Sequence, residues 1–149
     1  MFHKKLPFLF ACLFLHFYTN CQTVPAAQSV TGKVICGYQG WFNAYGDGSP
    51  VARWFHWSSG SYQSNAGQPA PGAIKFEAYP AVDEYDAASL FQTGLGNTAE
   101  GNPAKLFSSY KAAVIDKHFE WMQQNEIDGV ALQRFISETF DGVFKANRD

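Results

Sequence analysis

Cysteine is scarce in this chain. Of three cysteines, Cys12 lies in an amino-terminal leader and Cys21 at its end, which leaves Cys36 alone in the body of the protein. One thiol makes no disulfide framework, and the setting Val34-Ile35-Cys36 reads as a small buried hydrophobe rather than a reactive group. Excess positive charge is missing too: a net charge of −2 gives no electrostatic footprint for a nucleic-acid backbone. There is no phosphate-cradling glycine loop, no serine nucleophile elbow and no dinucleotide fingerprint. His56 has no second histidine or cysteine at metal spacing, which excludes a zinc site there. No metal and no cofactor are expected.

Aromatic residues are plentiful. They make up 17% of the chain, as 14 Phe, 7 Tyr and 4 Trp, within a hydrophobic share of 46%. That share supports a packed core and argues against general disorder. Some of the rings must be core, and a cleft for flat, partly apolar ligands is a natural place for others.

The first residues are an export signal. His3, Lys4 and Lys5 precede the apolar run from Leu6 to Phe17, which is short of the ~20 residues that span a bilayer. Residues 1–20 are therefore set apart as a signal peptide. The following Tyr18-Thr19-Asn20-Cys21-Gln22 is similar to the lipobox of bacterial lipoproteins, with Cys21 as the lipidated first residue of the mature chain. Tyr18 and Asn20 depart from the aliphatic and small residues usual there. The expectation is an exported protein, either a cell-surface or outer-membrane lipoprotein or a periplasmic or extracellular protein. It would touch the membrane only through a lipid on Cys21. Residues 21–33 form a tether poor in apolar side chains.

The body, 34–149, reads as α/β. Val34 to Tyr38 is an apolar strand. Residues 43–105 hold most of the Gly and Pro and no persistent period, and so read as a long aromatic-rich βα loop insertion. Ser108 or Ser109 is placed to cap a helix over about 109–124, with Tyr110, Ala113, Val114, Trp121 and Met122 on one face and His118 beside them. Asn125 suits a left-handed helix end. Ile127 to Leu132 has no polar alternation and suits a parallel strand buried on both faces. Strand, long connection with helix, strand is one βαβ unit, and Asp141 is placed to cap a further helix through Val143, Phe144 and Asn147. The chain is well short of the roughly 250 residues of a typical (β/α)8 barrel, so it reads as the front part of something larger, truncated at the carboxyl end.

In parallel α/β folds the ligand meets the carboxyl ends of the strands. Those ends are Tyr38-Gln39-Gly40-Trp41 and Gln133-Arg134-Phe135, each an amide beside an aromatic. A second cluster is Arg53-Trp54-Phe55-His56-Trp57, where indole faces suit the C–H faces of sugars and imidazole suits their hydroxyls. A third is Tyr79 to Tyr85 with Asp83 and Glu84. Paired carboxylates suit glycoside hydrolysis, but adjacent ones diverge, and solvated loop charges are the plainer reading.

Six stretches, GYQGWF (37–42), RWFHW (53–57), YPAVDEY (79–85), LFSSY (106–110), HFEWM (118–122) and IDGVALQRF (127–135), together resemble the amino-terminal part of glycoside hydrolase family 71/99-like proteins, often labelled xylosidase/arabinosidase-like and found as secreted bacterial lipoproteins. The resemblance implies a (β/α)8 barrel acting on glycosidic bonds of a poly- or oligosaccharide, with endo-mannosidases among its relatives. It implies that Tyr38, Gln39, Trp41, His56 and Trp57 line sugar subsites and that Gln133 and Arg134 close the same face. The family's catalytic carboxylates lie on later strands, outside this sequence. Two functions follow: a secreted glycoside hydrolase, here an inactive fragment, or a non-catalytic glycan-binding surface lipoprotein.

Overall fold

The computed structural model of the protein describes residues 29–59 and 67–148. The signal, Cys21, the first part of the tether and Tyr62 lie outside the described residues. The elements run β1 (Ile35–Tyr38), β2 (Leu90–Asn97), β3 (Pro103–Phe107), α1 (Ala112–Gln124), β4 (Gly129–Leu132), α2 (Ile136–Phe140) and α3 (Gly142–Arg148), with a 3-10 turn at Ala87–Ser89 before β2.

β1 and β4 pair in parallel, Ile35 opposite Gly129 through to Tyr38 opposite Leu132. The pairing continues past both ends, since Asp128 N–H donates to Val34 O and Gln133 N–H to Tyr38 O, each at 3.0 Å. Asp128 locks the register at the amino end. Its carboxylate accepts from Lys33 Nζ at 2.7 Å and from Val34 N–H at 2.9 Å, and these bonds lower its pKa. The expected neighbouring parallel strands are thus present. Their burial on both faces is not: Ile35 is 45% and Leu132 58% exposed. β1 and β4 form a sheet of only two strands among the described residues.

The long connection is more ordered than its sequence suggests. β2 and β3, which fall largely inside the stretch read as irregular, form an antiparallel hairpin with a register shift between Gln92 and Asn97. LFQTGLGN has two glycines and a buried threonine where an alternating strand would show apolar residues. Thr93 is tolerated because its hydroxyl donates to Ala104 O at 2.7 Å, which satisfies a buried polar group. Tyr79 fastens the preceding loop to β3, its hydroxyl donating to Lys105 O and accepting from Lys105 N–H.

Several of the loop aromatics belong to the core itself. Ala44, Trp54, Trp57, Tyr85, Leu106, Phe107 and Val114 form the buried cluster, with Phe42, Phe76 and Trp121 among those packed on it. Burying a side chain such as Leu106 or Val114 contributes about 1.5–3 kcal/mol. A polar hub holds the chain around this core. Buried Asp47 accepts from Ser108 Oγ at 2.6 Å, Ser49 N–H at 2.7 Å, Ala44 N–H at 3.1 Å and Asn43 Nδ2 at 3.2 Å. Burial acts to raise its pKa, and the bonds from Ser108, Ser49 and Asn43 outweigh that and lower it.

α1 starts later than expected and is capped differently. Lys111 is the N-cap, without a side-chain cap bond. Ser108 instead shapes the turn before it, accepting from Tyr110 N–H at 3.1 Å while donating to Asp47. At the other end Asn125 keeps φ −104, and the left-handed position falls to Glu126 at φ 58. Asn125 donates its amide to Trp121 O at 2.8 Å instead. The packed face of α1 runs through Val114, His118 and Trp121, while Tyr110 and Ala113, expected on it, are exposed. Asp141 caps α3 as its position suggests, accepting from Val143 and Phe144 N–H at 2.9 and 3.2 Å. α2 has no counterpart in the sequence reading.

Candidate functional site

The parallel register brings the two strand tips side by side. Gln39 donates its Nε2–H to Gln133 Oε1 at 2.9 Å, so the exposed amides of both tips form one polar edge. Arg134 follows, half-buried. Tyr38, Gly40, Ser109, Gln133, Arg134 and Arg148 contribute to the lining of a cavity of about 300 Å³ at this end. A groove of about 960 Å³ lies at the opposite end, against Gly32, Val34, Asp128 and Gly129. Strand amino ends gather no βα loops, so the smaller cavity is the better candidate despite its size.

Tyr38 turns its hydroxyl away from the amide edge. It meets His118 Nδ1 at 2.8 Å, and Tyr85 OH meets His118 Nε2 at 2.7 Å. A neutral imidazole has one donor and one acceptor nitrogen, so one phenol donates to the ring and the other accepts from it. Burial lowers the His118 pKa and pushes both tyrosines up to about 12, which keeps all three groups neutral. This array ties α1 to β1 and to the core. The sequence placed His118 on the helix face, but nothing in the spacing of 38, 85 and 118 shows that they meet.

Trp41 is 6% exposed. His56 stacks on it at 4.8 Å and 19° between planes, and Phe135 at 5.1 Å and 9°. Arg148 approaches the same ring at 5.7 Å. Trp41 is thus enclosed, and the ring offered at the surface is Phe135, 48% exposed. His56 sits at φ 63, an uncommon conformation for a non-glycine residue, with its Nε2 buried and lacking a hydrogen-bond partner among the described residues. Burial first, then the charges of Arg148 and Lys75, lower its pKa to about 4.

Trp57 does not join this cluster. It is 4% exposed, its indole N–H donates to Phe107 O at 2.9 Å, and Phe42, Phe107 and Phe76 surround it at 4.3, 4.9 and 5.6 Å. The expected sugar platform is a core residue, because two tryptophans three residues apart are what this loop folds around. Asp83 and Glu84 are exposed, with Glu84 3.7 Å from Lys117, and they are not at the strand tips. Cys36 is a half-buried free thiol. Among the described residues no group of three or more His, Cys, Asp or Glu is arranged to hold a metal ion, and no helix is long and apolar enough to cross a membrane.

The structure therefore brings together Tyr38, Gln39, Gln133 and Arg134, stacks Trp41 with His56 beside them, and separates Trp57. It adds Ser109, Phe135 and Arg148, which sequence reasoning did not select. Only Phe135 carried a signal, as the aromatic ending the second tip. No protein-family model, no curated protein and no solved structure matches the chain.

Proposed function

We propose that the chain is an exported glycan-recognising protein of glycoside-hydrolase type, built on part of a (β/α)8 barrel wall, with the strand tips as its sugar-contacting edge. The observation that carries this reading is the Gln39–Gln133 amide pair across parallel β1 and β4. Polar tips on an otherwise apolar parallel pair mark the side where such folds bind ligands, and amides and guanidinium groups suit sugar hydroxyls. The exposed flanks of β1 and β4, Ile35 and Leu132 among them, are the kind of surface that further barrel strands would cover.

Two versions of the reading share this edge, a glycoside hydrolase and a non-catalytic glycan-binding protein. The tip residues 38–41 and 133–135 include no carboxylate, and glycoside hydrolysis needs a pair of them across the scissile bond. These residues bind and orient a glycan, and cleavage requires carboxylates from elsewhere. The test is to incubate the exported protein with mannose-, xylose- and arabinose-containing oligosaccharides, following both binding and release of reducing ends. Binding with release supports the hydrolase, and binding without release supports the binding protein. Neither binding nor release across the panel would overturn the reading.

A further inference from the structure

The loop from Tyr79 to Tyr85, which the strand-tip site leaves unused, lines a groove of about 940 Å³ together with the β2–β3 hairpin. None of the groove's lining residues belongs to the cavity at the strand tips. The adjacent carboxylates of the loop diverge. Glu84 lies 3.7 Å from Lys117, whereas Asp83 lines the groove. The Tyr79 hydroxyl is engaged by both the carbonyl and the N–H of Lys105. The ring, 40% exposed, is thereby held in place and offers the groove carbon rather than oxygen. Leu90 and Leu95 would fall on opposite faces of an unbroken strand. The register shift between Gln92 and Asn97 re-aims the strand, and both leucines line the groove, where with half-buried Val82 they form an apolar floor. Asn97 and Asn102, at the facing ends of the hairpin, are exposed along it. Their side-chain amides make no hydrogen bond to the described residues.

We propose that this groove is a second glycan-binding site, separate from the strand tips, for a neutral oligosaccharide. The inference rests on the glycan reading above for its ligand class, and on the groove alone for its location. A fixed aromatic ring beside an apolar floor suits the C–H faces of sugar rings. A side-chain amide has both a donor and an acceptor end, so Asn97 and Asn102 can each span neighbouring hydroxyls, and the Asp83 carboxylate accepts from another. Charge selects the neutral class. Asp83 and Glu100 line the groove against Lys105, so a carboxylated or sulfated sugar would meet net negative charge. A volume of about 940 Å³ lies near the upper limit of small-ligand sites. That leaves room for a run of sugar units, which the tip cavity of about 300 Å³ does not.

Isothermal titration of the full chain with xylotetraose, mannotetraose and arabinotetraose, and with tetragalacturonate as the acidic probe, tests this. At least one neutral tetrasaccharide should bind. The double substitution Asn97→Ala with Asn102→Ala should weaken it about tenfold or more, the loss of two hydrogen bonds, at an unchanged unfolding midpoint. Tyr79→Leu should weaken it several-fold. Should that variant lower the midpoint by releasing Lys105 N–H, the asparagine pair carries the test. Tetragalacturonate should bind more weakly than the neutral sugar, and Asp83→Asn should narrow the difference. Neutral binding that falls with Gln39→Ala but is indifferent to the Asn97, Asn102 and Tyr79 substitutions would overturn the groove and leave the strand tips standing. Binding that falls with the groove substitutions but not with Gln39→Ala would support the groove and count against the tips. Tetragalacturonate bound as tightly as the neutral sugars would overturn the proposed site. Silence with all four probes would mark the failure of the glycan function, and of the groove with it.

Discussion

Trp57→Ala separates a core ring from a sugar platform. The substitution removes an indole that is 4% exposed and packed against Phe42, Phe76 and Phe107. It also takes the buried N–H from the carbonyl of Phe107. Truncating a buried Trp or Phe to Ala costs about 3–5 kcal/mol, and an acceptor left unsatisfied adds about 1–3 kcal/mol where it cannot reach water. The expected loss is therefore toward the upper end, about 4–5 kcal/mol. A small domain has only about 5–15 kcal/mol in total, so the variant should sit at the margin of folding. At a slope of ~2 kcal/mol per molar urea, the unfolding midpoint should fall by about 2 M. Trp57→Phe keeps most of the ring packing and loses the hydrogen bond, so its shift should be a fraction of that. Urea unfolding followed by far-ultraviolet circular dichroism reads both shifts. A Trp57→Ala protein with an unchanged midpoint and lost glycan binding would refute the core assignment and return the ring to the binding surface.

Asp47→Asn should lower the unfolding midpoint at neutral pH. In the wild type the contribution of Asp47 should be complete above the ordinary carboxyl value of 3.8 and lost as acid titrates the depressed folded-state group below it; a variant as stable as wild type at pH 7 would contradict the hub. His56 has a folded pKa of about 4 against an ordinary 6.5, so the unfolded chain takes up the proton first and stability should decline as pH falls from 6.5 toward 4. His56→Gln should flatten that slope in thermal melts, and an unchanged slope would place the titration elsewhere. Export with lipidation at Cys21 predicts incorporation of a palmitate analogue in the producing cell that Cys21→Ser abolishes. Secretion without label would mean that Tyr18 and Asn20 defeat the lipobox.

The sequence was most informative where one period dominates. The apolar runs at 34–38 and 127–132 and the helix between them emerge as β1, β4 and α1 because strand pairing and helix packing both follow hydrophobic spacing. The Asp141 cap was legible because capping is a contact between residues two and three apart. The β2–β3 hairpin was hidden by Gly94, Gly96 and the satisfied Thr93, which remove the alternation that marks a strand. α1 starts at Ala112, later than the serines suggest, because Ser108 is drawn to Asp47, 61 residues away, and no local rule sees that competitor. The same limit applies to the site. The strand tips follow from topology, so Gln39, Gln133 and Arg134 could be chosen from sequence. Whether an aromatic residue is wall or core depends on what packs on both of its faces, and Trp57 and Trp41 are enclosed by residues spread from Phe42 to Arg148.

The central claim is that the tips of β1 and β4 form one ligand-contacting edge. Gln39 and Gln133 are exposed and bond chiefly to each other, so Gln39→Ala should leave the unfolding midpoint almost unmoved. If the edge holds a sugar, loss of one hydrogen bond of about 1–1.5 kcal/mol should weaken glycan binding by roughly tenfold. Titrating wild type and Gln39→Ala with the tightest-binding oligosaccharide of the panel, beside a thermal melt of each, is the most direct measurement. A shared ligand-contacting edge predicts about a tenfold loss of affinity at an unchanged melting temperature, and equal affinity for the two proteins would contradict it.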